Sequence, residues 1–432
     1  MTYNQAVEYL YNSLPVFHRV GGVAYKPGLD NSIRLMNAFD NPQNKYKTVH
    51  IAGTNGKGSV SHFISAILQS AGYNVGLYTS PHLVDFRERI RVNGEMISEK
   101  YVIDFVETNT GLFEEIKPSF FETTMALAFA YFADCKVDIA VVEVGMGGRL
   151  DSTNIINPIL SVITNISLDH TQFLGDSLER IAVEKAGIIK HNTPVIIGET
   201  QPETKPIFIE KAQNENAKII FAEDEFPIKY IDFEDINLVV DAPGFDELRI
   251  GLKGEYQRKN VTTTLASIAQ LKHIGLNISD KNIRAGFENV MKITGLQGRW
   301  QILQTHPTVI ADTGHNKAGI QYVVNQLRNS EFQELHMVIG MVNDKDISSV
   351  LALLPKNAVY YFTNANIERA LSADNLKSQA EKFELTGESY STVEKAVRAA
   401  LIGANVDDMV FIGGSNFVVG EALPLFQIKN AL

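Results

Sequence analysis

One run, Gly53-Thr54-Asn55-Gly56-Lys57-Gly58-Ser59, constrains what this chain can fold into more than any other, because of what flanks it. Residues 48–52 before it are a short apolar run of strand character. After it, Val60, Phe63, Ile64, Ile67 and Leu68 recur at helical spacing until Gly72, where a helix would stop. A strand, a glycine-rich turn and a helix in succession make the repeating unit of a parallel sheet with crossover helices. Glycines in such a turn let backbone N–H groups face phosphate oxygens, the helix N-terminus adds partial positive charge, and Lys57 supplies a full one. The pattern is a shorter variant of G-x-x-x-x-G-K-[ST]: Ile51 stands where the first glycine would be, and Gly58 intervenes before Ser59. The bland alternative is a glycine turn beside a solvated lysine. A guanine reader of the form Asn-Lys-x-Asp is not matched by Asn343-Asp344-Lys345-Asp346, so adenine is the expected base.

Further strands are expected at 75–78, 139–144, 161–166 and 194–197, with a helix over 123–132. Residues 221–254 alternate in a β-like way and read as an extension of the same sheet. Around 294–299 the string TGLQGR breaks the periodicity, and new strands are expected at 308–312, 337–340, 359–362 and 409–413. At 432 residues the chain exceeds the roughly 250–300 that one core supports. The expected class is therefore α/β: a P-loop parallel-sheet ATPase domain over 1–296, then a smaller Rossmann-like domain over 297–432.

Composition narrows the partners. The formal net charge of -11 argues against nucleic acid, which demands a concentrated basic surface. Cys135 is the single cysteine, so neither an intramolecular disulfide nor a cysteine zinc cluster is available. The start lacks a signal-peptide pattern, and no run of about 18 apolar residues occurs. A cytoplasmic, membrane-free monomer is expected.

The loop, together with TSPHLVDFRERI from Thr79, EVGMGGRLDSTN from Glu143, ISLDHTQFLG from Ile166 and EKAGI from Glu184, resembles the folylpolyglutamate synthase and dihydrofolate synthase branch of the Mur ligase family. The string LPVFHRVGGVAYKPGLDN near the start is similar to that branch too. The resemblance implies ATP and Mg²⁺ as cofactors, folate or dihydropteroate and L-glutamate as substrates, and an active site in a cleft between two domains. It implies cofactor contacts at Gly53, Thr54, Asn55, Gly56, Lys57, Gly58 and Ser59. It also implies magnesium ligation by Ser80, Glu143 and His170, and by Lys185 if that lysine is carbamylated.

Taken alone, those residues read otherwise. Glu143 could pair with Arg149, His170 could cap a turn, and Lys185 could be a helix-surface lysine in a weak salt bridge. Both Glu143 and His170 follow strands, however, and so face the crevice at the carboxyl ends of a parallel sheet. Histidine is an uncommon ligand for so hard an ion.

In the second half, Arg299 in Gly298-Arg299-Trp300 and Asp312 and His315 in Asp312-Thr313-Gly314-His315-Asn316 resemble the family's nucleotide and glutamate contacts. Relatives more often read Asp-Gly-Ala-His-Asn there. Asn260, after Tyr256-Gln257, resembles an adenine-side contact. The alternatives are that Asp312 caps the helix starting near Lys317 and that Arg299 pairs with a surface acid. Phe86–Val92 alternates, which would put Arg87, Arg89 and Arg91 on one extended face, either for an anionic ligand or as a solvated hairpin.

The expected activity is ATP-dependent addition of L-glutamate to folates, and of glutamate to dihydropteroate, through an acyl phosphate. The roles implied for Lys57, Lys185 and His315 are catalytic. Two alternatives compete: a peptidoglycan-precursor Mur ligase, for whose extra N-terminal domain the 47 residues before Thr48 leave little room, and a P-loop switch.

Overall fold

In a computed structural model the described residues are 1–12, 28–234, 237–343 and 347–427. Most of the LPVFHRVGGVAYKPGLDN string and residues 344–346 lie outside them. The chain divides into two compact units: the first comprises Met1–His82, Phe86–Gly251 and Tyr256–Leu296, the second Leu83–Asp85, Leu252–Glu255 and Gln297–Leu432. The class is α/β, as expected.

In the first unit, β1 (Lys47–Ala52), β2 (Val75–Tyr78), β3 (Ile90–Val92), β4 (Glu95–Met96), β5 (Ile139–Glu143), β6 (Leu160–Ile163), β7 (Val195–Ile197) and β8 (Ile219–Phe221) form a sheet of order β4-β3-β2-β5-β1-β6-β7-β8. From β2 to β8 neighbouring strands in that order are parallel; β3 and β4 are antiparallel additions at one edge. The central strands β1, β5 and β6 are buried at every position but Lys47, as suits a parallel sheet covered on both faces. β5, Ile-Ala-Val-Val-Glu, is buried at every position.

α1 (Lys57–Ser70) follows β1 and is buried from residue 59 to 68. Val60, Phe63, Ile64, Ile67 and Leu68 are all fully buried, each contributing about 1.5–3 kcal/mol of transfer free energy. α2 (Phe120–Asp134) starts with a capping box in which Ser119 Oγ accepts the Glu122 amide and Glu122 accepts the Ser119 amide. α3 (Leu178–Ala186), α4 (Gln257–His273) and α5 (Asp280–Glu288) complete the cover used below. α5 packs closely on α1 because Gly286 has no Cβ to meet Ile67, and the Phe63 and Phe287 rings lie 5.0 Å apart.

Two expectations are corrected here. Residues 221–254 do not extend the main sheet, which ends at β8; β9 (Tyr230–Glu234), β10 (Asn237–Ala242) and β11 (Phe245–Ile250) form their own antiparallel sheet. Leu238 and Val240 lie opposite Ile250 and Leu248 and are buried with them, and Val239 between them is buried too. Likewise the alternating arginines do not share a face. Phe86–Arg89 is a 3-10 turn and only Ile90–Val92 is strand. Arg87 pairs with Glu99 at 3.5 Å, Arg89 Nε donates to His82 Nδ1 at 2.7 Å, and Arg91 donates to the Gly94 carbonyl at 3.0 Å.

The second unit holds β12 (Gln301–Thr305), β13 (Thr308–Ala311), β14 (Leu335–Ile339), β15 (Val359–Phe362), β16 (Gly387–Ser389) and β17 (Met409–Gly413) in the order β12-β13-β17-β14-β15-β16. All but β12 run parallel, and α6 (Lys317–Arg328) follows β13. Among the described residues no helix is long and apolar enough to cross a membrane.

Candidate active site

β1 ends at Ala52, and the chain reverses through Gly53 (φ 144°) and Gly56 (φ 84°) before α1 begins at Lys57. Both glycines are required twice over. Their φ values lie in the region L-residues avoid, and a Cβ at Gly53 would strike the Thr164 side chain, one at Gly56 that of Asn260.

The turn is braced by residues at the carboxyl end of β6. Thr164 Oγ1 donates to the Asn55 carbonyl at 2.6 Å, and Asn165 Oδ1 accepts the Asn55 amide at 2.9 Å. The Asn165 carbonyl accepts the Thr54 amide at 3.0 Å. Thr54 Oγ1 donates to the Ser167 carbonyl at 3.1 Å and accepts the Ser167 amide at 3.0 Å. From α4, Gln257 Nε2 donates to Ser59 Oγ at 3.3 Å, and Asn260 Nδ2 donates to Gln257 Oε1 at 2.7 Å. Asn260 is thus set against the loop by Gly56. A loop so held presents its amides beyond Asn55 and the N-terminus of the fourteen-residue helix α1 in a fixed geometry.

Two lysines converge on it. Lys57 Nζ donates to the Gly53 and Thr54 carbonyls, both at 3.0 Å. Lys185, from the last turn of α3, is buried and its Nζ donates to the same Gly53 carbonyl at 2.8 Å. It is therefore no surface lysine, and the expected weak salt bridge is absent from its described contacts. Burial, reinforced by the positive charge of Lys57 and opposed by Asp169 and Asp151, holds its ammonium down to about 7. Close to neutral pH that amine is partly uncharged and nucleophilic.

Glu143 closes β5 and is buried. Arg149, the alternative partner of Glu143, pairs with Glu184 at 2.8 Å. Glu143 Oε2 accepts the Ser80 amide at 3.1 Å, which brings two of the three predicted magnesium ligands together. His170, at φ 49°, opens the short helix Thr171–Leu174, and its amide donates to Asp169 Oδ1 at 2.9 Å. A buried carboxylate at a strand end with a serine beside it supplies the hard oxygen donors that Mg²⁺ prefers.

In the second unit, Asp312 follows β13 and is buried. Its Oδ2 accepts the Trp300 amide at 2.8 Å and its Oδ1 the Gly314 amide at 2.7 Å. It does not cap α6: Asn316 does, accepting the Gly319 amide at 2.8 Å. Arg299 donates to Thr313 Oγ1 and, at 3.2 Å, to the Gly298 carbonyl, while Thr313 Oγ1 donates to that carbonyl at 3.0 Å. The hydroxyl that departs from the family pattern therefore helps set the Arg299 guanidinium. His315 Nδ1 lies 3.0 Å from the Thr313 carbonyl, which makes Nδ1 a protonated nitrogen.

Reasoning from the sequence missed Thr164, Asn165, Ser167 and Gln257 as supports of the loop. Their signal was positional: the first three follow β6, next to β1, in the crevice where parallel-sheet ligands gather.

The chain matches the Mur ligase middle domain over residues 51–268 and the Mur ligase, glutamate ligase domain over residues 298–416. It is 32% identical to the dihydrofolate synthase/folylpolyglutamate synthase of Bacillus subtilis over 92% of this chain and 94% of that one. It is 33% identical to the "Probable bifunctional folylpolyglutamate synthase/dihydropteroate synthase" of Haloferax volcanii, covering 98% of this chain but spanning only 50% of that protein. It also superposes on a bifunctional folylpolyglutamate synthase/dihydrofolate synthase solved with Mn, AMPPNP and L-glutamate bound, at TM-score 0.83 and 28% identity, over 99% of this chain and 98% of that one.

Proposed function

The chain belongs to the dihydrofolate synthase/folylpolyglutamate synthase branch of the Mur ligase family, and from that we propose that it is an ATP-dependent ligase joining L-glutamate to folates and to dihydropteroate. The observation that carries this reading is the braced Gly53–Ser59 turn with Lys57 and Lys185 both held at the Gly53 carbonyl.

In the proposed reaction a carboxylate oxygen of the pteroate or folate attacks the γ-phosphorus of ATP, and the bond from that phosphorus to the ADP oxygen breaks. The amine of glutamate then attacks the acyl carbon, phosphate departs, and the amine loses a proton. Backbone amides of 56–59 orient the terminal phosphates, and Lys57 leaves the loop carbonyls to offset charge on the transferred phosphoryl oxygens. Ser80, Glu143 and His170 would hold Mg²⁺, which when bound would neutralise phosphate charge. Lys185, as a carbamate, would add an anionic oxygen donor; its amine, brought down to about 7 by burial, favours that modification. Asn260 takes the adenine side, Arg299 and Asp312 contact the nucleotide, and His315 contacts nucleotide or glutamate. Cytoplasmic residence and action as a monomer belong to the same proposal.

An ADP-release assay tests it, with dihydropteroate and a reduced folate offered separately and glutamate present or withheld. Release that needs both the pterin carboxylate and glutamate is the expected result. Equal release without either would identify a P-loop switch instead.

A further inference from the structure

At the amino ends of two adjacent parallel strands of the second unit, Glu334 precedes β14, His336 is its second residue, and Asp408 precedes β17. This is the end of the sheet opposite Asp312, which follows β13. His336 Nε2 lies 3.6 Å from Glu334 Oε2 and 3.6 Å from Asp408 Oδ2, and one ligand atom from each residue falls within 4.8 Å of the others.

The His336 side chain is 2% exposed, yet its Nε2 has no hydrogen-bond partner among the described residues. A buried imidazole nitrogen left unsatisfied is costly and calls for a partner. The spacing indicates which kind. Hydrogen-bonded N···O pairs sit at about 2.7–3.2 Å, so 3.6 Å is too long for one. Two donors each about 2.1 Å from one tetrahedral ion lie about 3.4 Å apart, close to what is found.

The surroundings orient the donors as supporting groups around metal sites do. On the other side of the ring, His336 Nδ1 is 3.0 Å from the Tyr361 hydroxyl. Asp408 Oδ1 accepts the Glu334 amide at 3.0 Å, and its Oδ2 accepts the Asn405 amide at 2.6 Å. The Glu334 side chain is 53% exposed, which leaves a route for an ion and room for water as a further ligand.

We propose that Glu334, His336 and Asp408 bind one divalent cation of the zinc or cobalt class, fastening the amino ends of β14 and β17. One imidazole nitrogen with two carboxylate oxygens suits a borderline ion better than Mg²⁺, which asks for six oxygens. The role is structural and independent of the phosphate loop.

The full chain, stripped with chelator and held in excess Mg²⁺, is titrated with Zn²⁺ by calorimetry and with Co²⁺ by visible absorption. One equivalent binds in the wild type and in Glu143→Gln, with the intense visible bands of low-coordinate Co²⁺. Glu334→Gln, on an exposed side chain that threatens no core, weakens binding by at least about tenfold and leaves folate-dependent ADP release unchanged. His336→Gln abolishes binding. Zn²⁺ affinity undiminished in Glu334→Gln and His336→Gln, binding lost in Glu143→Gln alone, or no binding to the wild type would each overturn the proposal.

Discussion

Lys185 Nζ donates a 2.8 Å hydrogen bond to the carbonyl of Gly53, a residue 132 positions earlier that also accepts from Lys57. Two ammonium groups share one acceptor at the root of the phosphate turn. Mutual repulsion and burial both work against the proton on Lys185, and that gives it chemistry no surface lysine has.

The first prediction concerns that amine. With its value at about 7 in the folded chain against 10.5 ordinarily, the unfolded state holds more protons between those limits. This group's contribution to stability therefore rises with pH from about 7 and is flat below it. Carbamylation needs the neutral amine, so a ¹³C carbamate signal from protein in labelled bicarbonate should grow between about pH 6 and pH 8 and vanish in Lys185→Arg. Unmodified lysine by peptide mass and NMR at the upper pH would contradict it.

Glu143→Gln keeps an oxygen for the Ser80 amide but removes the charge. Activity should fall by about 10²-fold or more, with the Mg²⁺ concentration for half-maximal rate raised and the melting temperature nearly unchanged. Wild-type magnesium dependence would remove Glu143 from the metal's ligands.

Gly56→Ala should be worse than its size suggests, since the new Cβ meets Asn260 at a left-handed φ. About 1–3 kcal/mol of stability should be lost, together with most ATP affinity. Calorimetric titration with an ATP analogue beside a thermal melt separates the two effects. Unaltered affinity would show that the loop does not touch nucleotide.

Lys57→Ala tests charge at the loop without touching the core, because Lys57 is only partly buried and bonds only to loop carbonyls among its described contacts. Product formation should drop by about 10³-fold while the fold persists. Retained turnover would end its assigned role.

The sequence disclosed what is local. Residues 53–59 with their flanking strand and helix were legible because every component is contiguous. The braces Thr164, Asn165 and Ser167 were not, because their partners lie about a hundred residues away and only the β1–β6 pairing joins them. Lys185 read as a surface residue because helical periodicity does not reveal which face is covered. Gly148 decides that: a Cβ there would stand 3.0 Å from Lys185 Cα, so its absence lets α3 lie against the strand-end loop. The arginine run misled because alternation also suits a 3-10 turn in which Phe86 and Arg89, three apart, both point inward.

The most direct measurement is a crystal structure with Mg²⁺ and a non-hydrolysable ATP analogue. The terminal phosphates should rest against the amides of 56–59 with Lys57 swung onto them, and the ion against Ser80, Glu143 and His170. A nucleotide bound elsewhere, with that turn vacant, would contradict the account.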